Sequence, residues 1–514
     1  MSERDTTTGN AGLAIEQALL FEQDTIGATG VDLPQAPHTR RRLGAVERKA
    51  PIGLPGLSEP EVVRHYTRLS QKNYSIDTGF YPLGSCTMKH NPRLNEKVAR
   101  LPGFADIHPF QPPATVQGAL EVVDQLAKWL TALTGMAGVA MSPAAGAHGE
   151  LCGLLCIRSA HEANGQGGRK VVLVPESAHG TNPATAALAG YQVEAIPATA
   201  SGHVDLAALK ARLGADVAAV MITNPNTCGL FETECVAIAK AVHDAGAYFY
   251  MDGANFNALV GRVRIADLGV DAMHINLHKT FSQPHGGGGP GAGPTVLSAA
   301  LAPFAPVPFV VAAKDGFTVA EHAGRGDGKP AFGRMKGFQG QFGVFVRSLS
   351  YILSLGIDGL RQASGDAVLN ANYLRAKLSA ELTPAFPGIC MHEVVFDDTW
   401  LKGTGVSTLD IAKALIDEGF HPMTMYFPLV VHGALLMEPT ETESKATLDQ
   451  FIGALLALAR RAKRGDQADW FKAAPRLSPR RRLDETKAAR KPVLRWRPAE
   501  PAKTNGGSER QAAE

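Results

Sequence analysis

The sequence predicts an α/β protein with a mainly parallel sheet flanked by helices and a smaller C-terminal α+β domain. Short apolar segments alternate with amphipathic segments between residues 115 and 280. Alternation of this kind, joined by short turns, is typical of parallel strands covered by helices on both faces. The length of 514 residues allows about three domains and a large buried core.

The large domain is expected to open with a helix and then to alternate strand with helix. Apolar residues recur at helical spacing from 115 to 133, and Gly135 provides a stop at the end of that helix. A second helix is expected to begin near Gly146. Strands are then expected at 170–174, 191–196, 217–222, 247–251 and 272–277, with helices at 206–213 and 234–245. Polar residues at the carboxyl ends of such strands line a ligand crevice.

The pattern changes after a Gly-rich passage at 323–343. Helices are expected at 344–355 and 367–382, a strand at 391–396, and further helices at 408–418 and 444–461. We therefore expect four regions along the chain: a Pro-rich N-terminal arm at 1–70 with a helix at 61–70, a large domain at 71–343, a small α+β domain at 344–464, and a basic, mostly disordered tail at 465–514.

Charge and hydropathy argue against nucleic acid and membrane partners. The net charge is +2, but residues 461–514 hold 15 Lys and Arg against 7 Asp and Glu, so the rest of the chain is mildly acidic. The N-terminal residues lack the basic start and apolar core of a signal peptide. The uncharged stretch 280–313 contains Pro303, Pro306 and Pro308, which would break a membrane-spanning helix.

The six cysteines form neither a CxxC pair nor a dense framework, which is typical of reduced thiols in the cytoplasm. Cys152 and Cys156 lie four residues apart on an expected helix, a spacing that can bind metal, but no matching His or Cys pair follows. We interpret them as small buried thiols and expect no metal site.

The most informative segment is 274–294, HINLHKTFSQPHGGGGPGAGP, in which a strand is expected to end at His278 and Lys279. A lysine there can serve as an amine nucleophile, although a surface lysine beside a flexible loop gives the same pattern. Asp252 follows the preceding strand, so both side chains are expected at one sheet edge. Pyridoxal phosphate needs a lysine for its aldehyde and a carboxylate to keep its ring nitrogen protonated. The pair therefore favours pyridoxal phosphate as the cofactor.

Further motifs at the same edge fit this cofactor. Gly146 and Ala147, in PAAGAHGE, are the expected phosphate contacts because small residues at a helix start let the main chain approach closely. The run GGGGPGAG lacks the GK[ST] ending of a P-loop. His179, in AHGTNPATA, is expected to stack on the ring, and Asn226, in NPNTCG, to bind its phenolic oxygen, with structural roles as the alternatives.

The sequence resembles the pyridoxal-dependent glycine decarboxylases, the P-proteins of the glycine cleavage system. The similarity covers roughly residues 15–460, and the chain length resembles that of the second, cofactor-bearing subunit of the two-subunit bacterial form. The blocks that carry the resemblance are YPLGSCTMKHNPRLNE (81–96), PAAGAHGE (143–150), AHGTNPATA (178–186), NPNTCGLFE (224–232), MDGANFNA (251–258), LHKTFSQPHGGGGPG (277–291) and MEPTETES (437–444).

The resemblance implies a fold-type-I pyridoxal enzyme with a role for each matched residue. Lys279 would form the Schiff base, Asp252 would pair with the pyridinium, His179 would stack on the ring, Ala254 would lie beneath it, and His278 would lie near the cofactor. Glycine would lose CO2, and its aminomethyl group would pass to the lipoyl arm of the carrier H-protein. A homologous first subunit, two copies of each subunit, and a cytoplasmic location are also implied.

Alternatives remain at the level of sequence. An aminotransferase is expected to show an Arg in the small domain for a second carboxylate, and no persuasive one is found. A cysteine desulfurase is a second alternative, and a cofactor-bearing scaffold subunit is a third, although a scaffold has no chemical need for Lys279 and Asp252. His108 and Phe110, in IHPFQP, are candidates for selecting glycine, with ordinary packing as the alternative.

Overall fold

The structure is a computed structural model, and it describes residues 18–25, 27–34, 43–50, 52–285, 291–321, 331–478 and 480–497. The strands are β1 (Gly138–Ala140), β2 (Val171–Pro175), β3 (Gln192–Ile196), β4 (Val217–Thr223), β5 (Tyr248–Gly253), β6 (Ala272–Ile275), β7 (Thr295–Leu297), β8 (Phe309–Ala313), β9 (Gly316–Ala320), β10 (Val394–Phe396), β11 (Thr424–Met425) and β12 (Leu435–Met437).

The helices alternate with these strands in the first part of the chain and dominate the last part. They are α1 (Glu59–Gln71), α2 (Arg93–Ala99), α3 (Pro102–Ala105), α4 (Gln117–Thr134), α5 (Gly146–Ala163), α6 (Thr181–Leu188), α7 (Leu206–Arg212), α8 (Cys235–Asp244), α9 (Leu277–Thr280), α10 (Phe342–Leu378), α11 (Thr408–Asp417), α12 (Lys445–Ala462), α13 (Ala468–Lys472) and α14 (Glu485–Arg490).

A seven-stranded sheet in the order β1-β7-β6-β5-β4-β2-β3 organises the large unit. The five strands β6, β5, β4, β2 and β3 run parallel to one another. Strand β7 is antiparallel to both of its neighbours, β6 and β1. The expected fold class, a mainly parallel sheet flanked by helices, is confirmed. Because five parallel strands end at the same edge, the segments that follow β4, β5 and β6 converge there.

Helices cover both faces of this sheet, and strand β2 shows why. Side chains alternate along a strand, so Val171 and Leu173 pack on one face with helices α4 and α8, whereas Val172 and Val174 pack on the other with helix α5. All five residues of β2 are buried. A strand that is buried on both faces is continuously apolar, which made it visible in the sequence.

A second unit contains the antiparallel sheet β10-β12-β11. Helices α11 and α12 and the second half of α10 pack on it around one apolar cluster. The two helices expected at 344–355 and 367–382 form one interval, α10, with a non-helical residue at Gly356, whose φ is +63°. Glycine adopts this conformation without a Cβ penalty, so the chain continues directly into the second helix.

The structure differs from the expected boundary of the small domain at 464. Helix α13 lies beyond it, and Phe471 and Ala474 are fully buried in the apolar cluster of the second unit. Farther along, the Arg482 guanidinium donates to Asp410 Oδ1 at 2.6 Å. Apolar burial and ion pairing therefore order a part of the chain whose composition predicted a disordered tail.

Among the described residues, α10 is the single helix long and apolar enough to cross a membrane by length and composition. Its side chains Phe345, Ile352, Leu360 and Leu374 are fully buried within the protein. Burial of this kind is what a core helix of a folded domain shows.

Candidate active site

Lys279 lies in a one-turn helix just beyond the edge of the sheet. Strand β6 ends at Ile275, and the N–H groups of Ile275 and Leu277 donate to the carbonyls of Pro294 and Ala292, at 2.8 and 3.1 Å. The chain then turns into α9, so the expectation that the strand runs to His278 and Lys279 is wrong. The Lys279 Nζ donates to the Ser85 carbonyl at 3.1 Å.

Asp252 lies on the neighbouring strand β5, where two hydrogen-bond donors and one imidazole surround its carboxylate. Its Oδ2 accepts from Asn182 Nδ2 at 2.9 Å and its Oδ1 accepts from the Ala254 N–H at 2.8 Å. His274 Nε2 lies 3.4 Å from the same Oδ1, and His274 Nδ1 bonds to the Tyr250 hydroxyl at 2.7 Å. Burial opposes ionisation, but His274, Asn182 and the Ala254 N–H together hold the pKa of Asp252 below its ordinary value.

Glu150 is a second buried carboxyl group at this site, and its pKa is shifted in the opposite direction. Burial and the charge of Asp252 raise the pKa of Glu150 above its ordinary value. Its Oε1 accepts from the Thr181 hydroxyl at 3.1 Å, and its Oε2 has no partner among the described residues. The site therefore shifts the pKa values of its two buried carboxyl groups in opposite directions, down for Asp252 and up for Glu150.

The N-terminus of α5 forms one wall of the site. Gly146 and Ala147 begin this helix, which carries unpaired backbone N–H groups at its first turn. A Cβ at Gly146 would lie 2.5 Å from Asn276 Oδ1, so the glycine permits a close approach of the two segments. A helix start with small residues is a ready site for a phosphate group.

Two neutral imidazoles lie beside Lys279. Burial, His285 and Lys279 together lower the pKa of His278 to about 3, and burial with Lys279 lowers that of His285 to about 4. The two rings meet edge to face with centroids 5.1 Å apart. Neither His278 Nδ1 nor His285 Nε2 has a hydrogen-bond partner among the described residues.

One cavity of about 210 Å³ brings most of the predicted residues together. Of the eight residues expected to bind the cofactor, all but Asn226 line this cavity, namely Lys279, Asp252, His179, Ala254, Gly146, Ala147 and His278. His179 is exposed at this site, its ring lies edge to face with Phe427 at 5.4 Å, and its Nδ1 contacts the Thr181 hydroxyl at 3.1 Å.

The structure does not bring Asn226 to the cavity. Its Nδ2 donates to the Gly202 carbonyl at 2.9 Å and to Glu232 at 2.7 Å, while its Oδ1 accepts from two backbone N–H groups of its own loop. This buried amide has used its hydrogen-bonding capacity on its own loop, on Glu232 and on the Gly202 carbonyl. Thr223 and Thr227, from the same segment, line the cavity instead.

His108 and Phe110 also lie elsewhere. His108 lines a separate cavity of about 350 Å³ beside Phe338 and Phe342, which shares no residue with the cavity at Lys279. The Phe110 side chain is 65% exposed. The alternative of ordinary packing therefore fits these two residues better than the selection of glycine.

Several site residues were not predicted, although most of them lie within the quoted sequence blocks. Ser85, Glu150, Thr181 and Asn182 belong to three of those blocks, and His274 begins the segment that contains Lys279. The one usable signal was register, because His274 pairs with Asp252 across β5 and β6. Contacts such as that of Lys279 with Ser85 join residues 194 positions apart and leave no local pattern.

The donor set fits pyridoxal phosphate. An ionised Asp252 suits a protonated ring nitrogen, the α5 N-terminus suits a phosphate, and the Lys279 amine suits an aldehyde. The unpartnered His278 Nδ1 and Glu150 Oε2 both belong to residues that line this cavity, as expected of a site built for a polar ligand.

A lysine and a carboxylate at the carboxyl edge of this sheet, with a second α+β unit after it, define the fold-type-I pyridoxal enzymes. Residues 153–288 match the family model of class-V aminotransferases, and residues 363–478 match that of the glycine dehydrogenase C-terminal domain. The chain is 68% identical over 498 residues to a probable glycine dehydrogenase (decarboxylating) subunit 2 of Caulobacter vibrioides, covering 96% of this chain and 94% of that one. The chain belongs to the glycine dehydrogenase (decarboxylating) subunit 2 family.

Other comparisons agree. A probable glycine dehydrogenase (decarboxylating) subunit 2 of Kosmotoga olearia is 50% identical, over 94% of this chain and 99% of its own. A crystal structure of the glycine decarboxylase (P-protein) of the glycine cleavage system superposes with a TM-score of 0.68 at 22% identity, covering 81% of this chain and 93% of that one. A cysteine desulfurase from Thermococcus onnurineus gives 0.57 at 16% identity, covering 75% and 96%. These two structures share the fold.

Proposed function

We propose that this chain is the cofactor-bearing subunit of a glycine decarboxylase, which passes the aminomethyl group of glycine to the lipoyl arm of a carrier protein. The observation that carries the proposal is that Asp252, on β5, and Lys279, in the helix α9 that follows the adjacent strand β6, line one cavity. Near-full-length identity to glycine dehydrogenase subunit 2 supports glycine as the substrate.

Each residue of the cavity has a distinct task in this proposal. Lys279 supplies the amine that binds the cofactor aldehyde, and Asp252 keeps the ring nitrogen protonated. Pyridoxal phosphate, when bound, supplies the electron sink for breaking the bond between the glycine Cα and its carboxylate. Gly146 and Ala147 offer backbone N–H groups to the phosphate.

Three residues hold Asp252 in the ionised state and in one orientation. Asn182 donates to one carboxylate oxygen, and His274 lies against the other, with its second ring nitrogen held by Tyr250. The Tyr250 and His274 side chains are fully buried or nearly so. Their hydrogen bonds fix the direction of the carboxylate before any ligand arrives, which lowers the reorganisation needed during the reaction.

The imidazoles of His278, His285 and His179 differ in their surroundings and so in their tasks. His278 and His285 are neutral around pH 7 because their pKa values are lowered to about 3 and about 4. A neutral imidazole can donate one hydrogen bond and accept another without placing a second positive charge beside the Lys279 amine. His179, which is exposed and lines the cavity, would cover the cofactor ring.

The proposal includes partners and a location. A homologous first subunit, in a complex with two copies of each, would complete the enzyme, and a lipoylated H-protein would receive the aminomethyl group. The family name, which specifies a subunit 2, supports the first of these partners. The free thiols of all six cysteines are compatible with a reducing cytoplasm.

The decisive experiment is exchange of labelled CO2 into glycine by the purified chain with its partner subunit and lipoylated carrier. We expect exchange that depends on glycine, on carrier and on Lys279, with Lys279→Ala reducing it at least a thousandfold and abolishing borohydride trapping of the cofactor. Lys89 is the matched control for trapping, since its amine is buried in an ion pair with Glu441 at 2.6 Å. A trapped adduct at a single lysine in the Lys279→Ala protein would contradict the assignment.

The same experiment separates the alternative reactions. A desulfurase needs a reactive thiolate. The Cys86 thiol interacts with the charge of Lys279, which lowers its pKa, but burial has the larger effect and raises that pKa above its ordinary value. We therefore expect no sulfide release from cysteine and no amino transfer to oxo acids. Exchange that is unchanged when Asp252 and Lys279 are both replaced would favour a scaffold subunit instead.

A further inference from the structure

Two buried carboxyl groups of the second unit face each other behind Lys279. Glu393 immediately precedes β10 and Glu438 immediately follows β12, and the antiparallel register pairs Val394 with Met437. The next position in that register sets Glu393 opposite Glu438. Both side chains are fully buried, and like charges directly opposite on neighbouring strands repel.

These two carboxyl groups hold the loop that contacts the Lys279 amine. Glu393 Oε2 accepts from the Ser85 N–H at 2.7 Å, and Glu438 Oε1 accepts from the Thr87 hydroxyl at 2.6 Å. Ser85, with a φ of +64°, turns its own carbonyl to the Lys279 Nζ at 3.1 Å. The chain thus runs from two buried carboxyl groups through two residues of one loop to the amine.

The other polar atoms of the cluster have no partner among the described residues. They are Glu393 Oε1, Glu438 Oε2 and both ring nitrogens of His392. His392 Nε2 is 4.0 Å from Glu438 Oε1, beyond hydrogen-bond distance. Burial, with Lys279, lowers the pKa of His392 to about 3, so the ring is neutral and gives the carboxyl groups no cation.

We propose that Glu393 and Glu438 share a single proton, and that the one negative charge they keep balances the positive charge of Lys279. They are positioning residues, because they act through the Ser85–Thr87 loop. The proposal rests on Lys279 being the residue that binds the cofactor. Asp252, whose pKa is also lowered by Lys279, is then a second negative charge that interacts with the lysine.

The charges around the pair support this arrangement. Burial and the neighbouring Glu438 raise the pKa of Glu393 well above its ordinary value, and burial raises that of Glu438 to about 7, while Lys279 lowers both. Glu441 and Lys89 act on Glu438 in opposite directions and form an ion pair with each other. Among the described residues, the cysteines Cys86, Cys228 and Cys390 also interact with the pair; burial raises the pKa of each, so all three are neutral thiols around pH 7.

The test is a pH titration of the absorbance of the lysine-bound cofactor in the purified complex. A shared proton means that Glu393→Gln and Glu438→Gln each leave one carboxylate, so each single variant should titrate like the unchanged protein. The double variant removes the charge and should lower the midpoint by about one pH unit or more, a tenfold change in proton affinity. Glu443→Gln is the matched control, because burial raises the pKa of Glu443 to about 7 without any contribution from Lys279.

Two results would overturn the inference. A double variant with an unchanged midpoint would show that no charge of the pair reaches Lys279, and equal steps in each single variant would show two separate charges. If the double Gln variant fails to fold, Glu393→Met with Glu438→Met gives the same readout from apolar side chains of similar volume. An absorbance band that persists in Lys279→Ala would instead remove the proposed cofactor lysine, which distinguishes the two failures.

Discussion

Asp252 keeps a charged carboxylate where burial alone would favour the neutral acid. The opposing interactions come from residues of three different segments, α6, the loop after β5, and β6. Glu150, a few ångströms away, accepts from the Thr181 hydroxyl, but burial and the charge of Asp252 outweigh its donors and raise its pKa. The chemistry of each carboxyl group is therefore decided by the number of donors that the fold aims at it.

We expect Asp252→Asn to retain cofactor but to lose most of the decarboxylation activity. An amide cannot form an ion pair with a protonated ring nitrogen, and its NH2 group would face the Asn182 donor. A charge-assisted contact is worth roughly 1.5–3 kcal/mol, so kcat should fall at least about tenfold. Steady-state exchange rates at saturating cofactor measure this. Ser177→Ala, at another buried residue near this sheet edge, is the control, and near-normal turnover in Asp252→Asn would refute the role.

Glu443 makes stability depend on pH. Burial raises its pKa from an ordinary 4.5 to about 7 in the folded protein, so the folded state binds more protons than the unfolded chain between these values. Stability therefore falls as pH rises from 4.5 to 7 and is constant above that range. Because the side chain is partly exposed, we expect Glu443→Gln to recover about 1–2 kcal/mol at pH 8.

Urea unfolding at pH 4 and pH 8 measures this difference. At pH 4 both states of Glu443 are protonated, so the variant and the unchanged protein should agree. Glu381→Gln is a contrasting control, since its hydrogen bonds to Arg460 and Lys463 lower its pKa. Equal stability of Glu443→Gln and the unchanged protein at pH 8 would show that its carboxyl group is not affected by burial.

At the scale of elements, α5 connects the cofactor site to the sheet. A Cβ at Gly153 would lie 2.5 Å from the Tyr250 ring, which is fully buried and bonds to His274. We expect Gly153→Ala to cost about 1–3 kcal/mol of folding free energy through overpacking. It should also weaken cofactor binding several-fold, because Tyr250 and His274 hold Asp252.

A matched substitution exists in α4. Nothing lies within 4 Å of a Cβ at Gly118, so Gly118→Ala should be neutral or stabilising by up to about 1 kcal/mol. Thermal unfolding and cofactor titration of both variants give the comparison. The coupling between helix and site would be disproved by a Gly153→Ala protein that is destabilised yet binds cofactor normally.

Elements buried on both faces were predictable from the sequence, whereas contacts across the chain were not. Strands β2 and β4 are wholly buried and apolar except for Thr223 at the end of β4. Gly135, in the left-handed conformation, ends α4 as predicted. The one-turn helix α9 carries no periodicity, so Lys279 was assigned to a strand end. Asn226 was misplaced because an Asn-Pro turn looks alike whether it binds a ligand or its own loop.

At the scale of the molecule, a buried ion pair ties the two units together behind Lys279. Lys89 Nζ donates to Glu441 at 2.6 Å, to the Thr280 carbonyl at 2.8 Å and to Asn257 at 2.9 Å. It therefore joins the small unit, the helix of Lys279 and the segment after Asp252 at one amine. Removing one partner of such a pair leaves an uncompensated buried charge, which is strongly destabilising.

The N-terminal arm leaves apolar side chains without cover. Among its described residues, Leu33, Val46, Ile52 and Leu54 are each more than 70% exposed. Soluble domains rarely leave several large apolar side chains of one segment in water unless another surface covers them. This exposure favours an arm that lies against the partner subunit over one that packs only on its own chain.

We therefore expect the full chain alone to bind pyridoxal phosphate but to exchange CO2 poorly until the first subunit is added. Replacing Leu33, Val46 and Ile52 together by Asp should leave cofactor binding unchanged, because none of the arm residues that the structure describes lines the cavity. The same variant should reduce co-purification with the partner at least tenfold. Burial of each apolar side chain against the partner contributes about 1.5–3 kcal/mol of binding free energy, and the Asp substitutions remove this contribution. Replacing the exposed Leu188, Val236 and Leu369 by Asp is the matched control. Full exchange by the isolated chain, unchanged by adding the partner, would contradict the two-subunit enzyme, and normal co-purification of the arm variant would contradict the role of the arm alone.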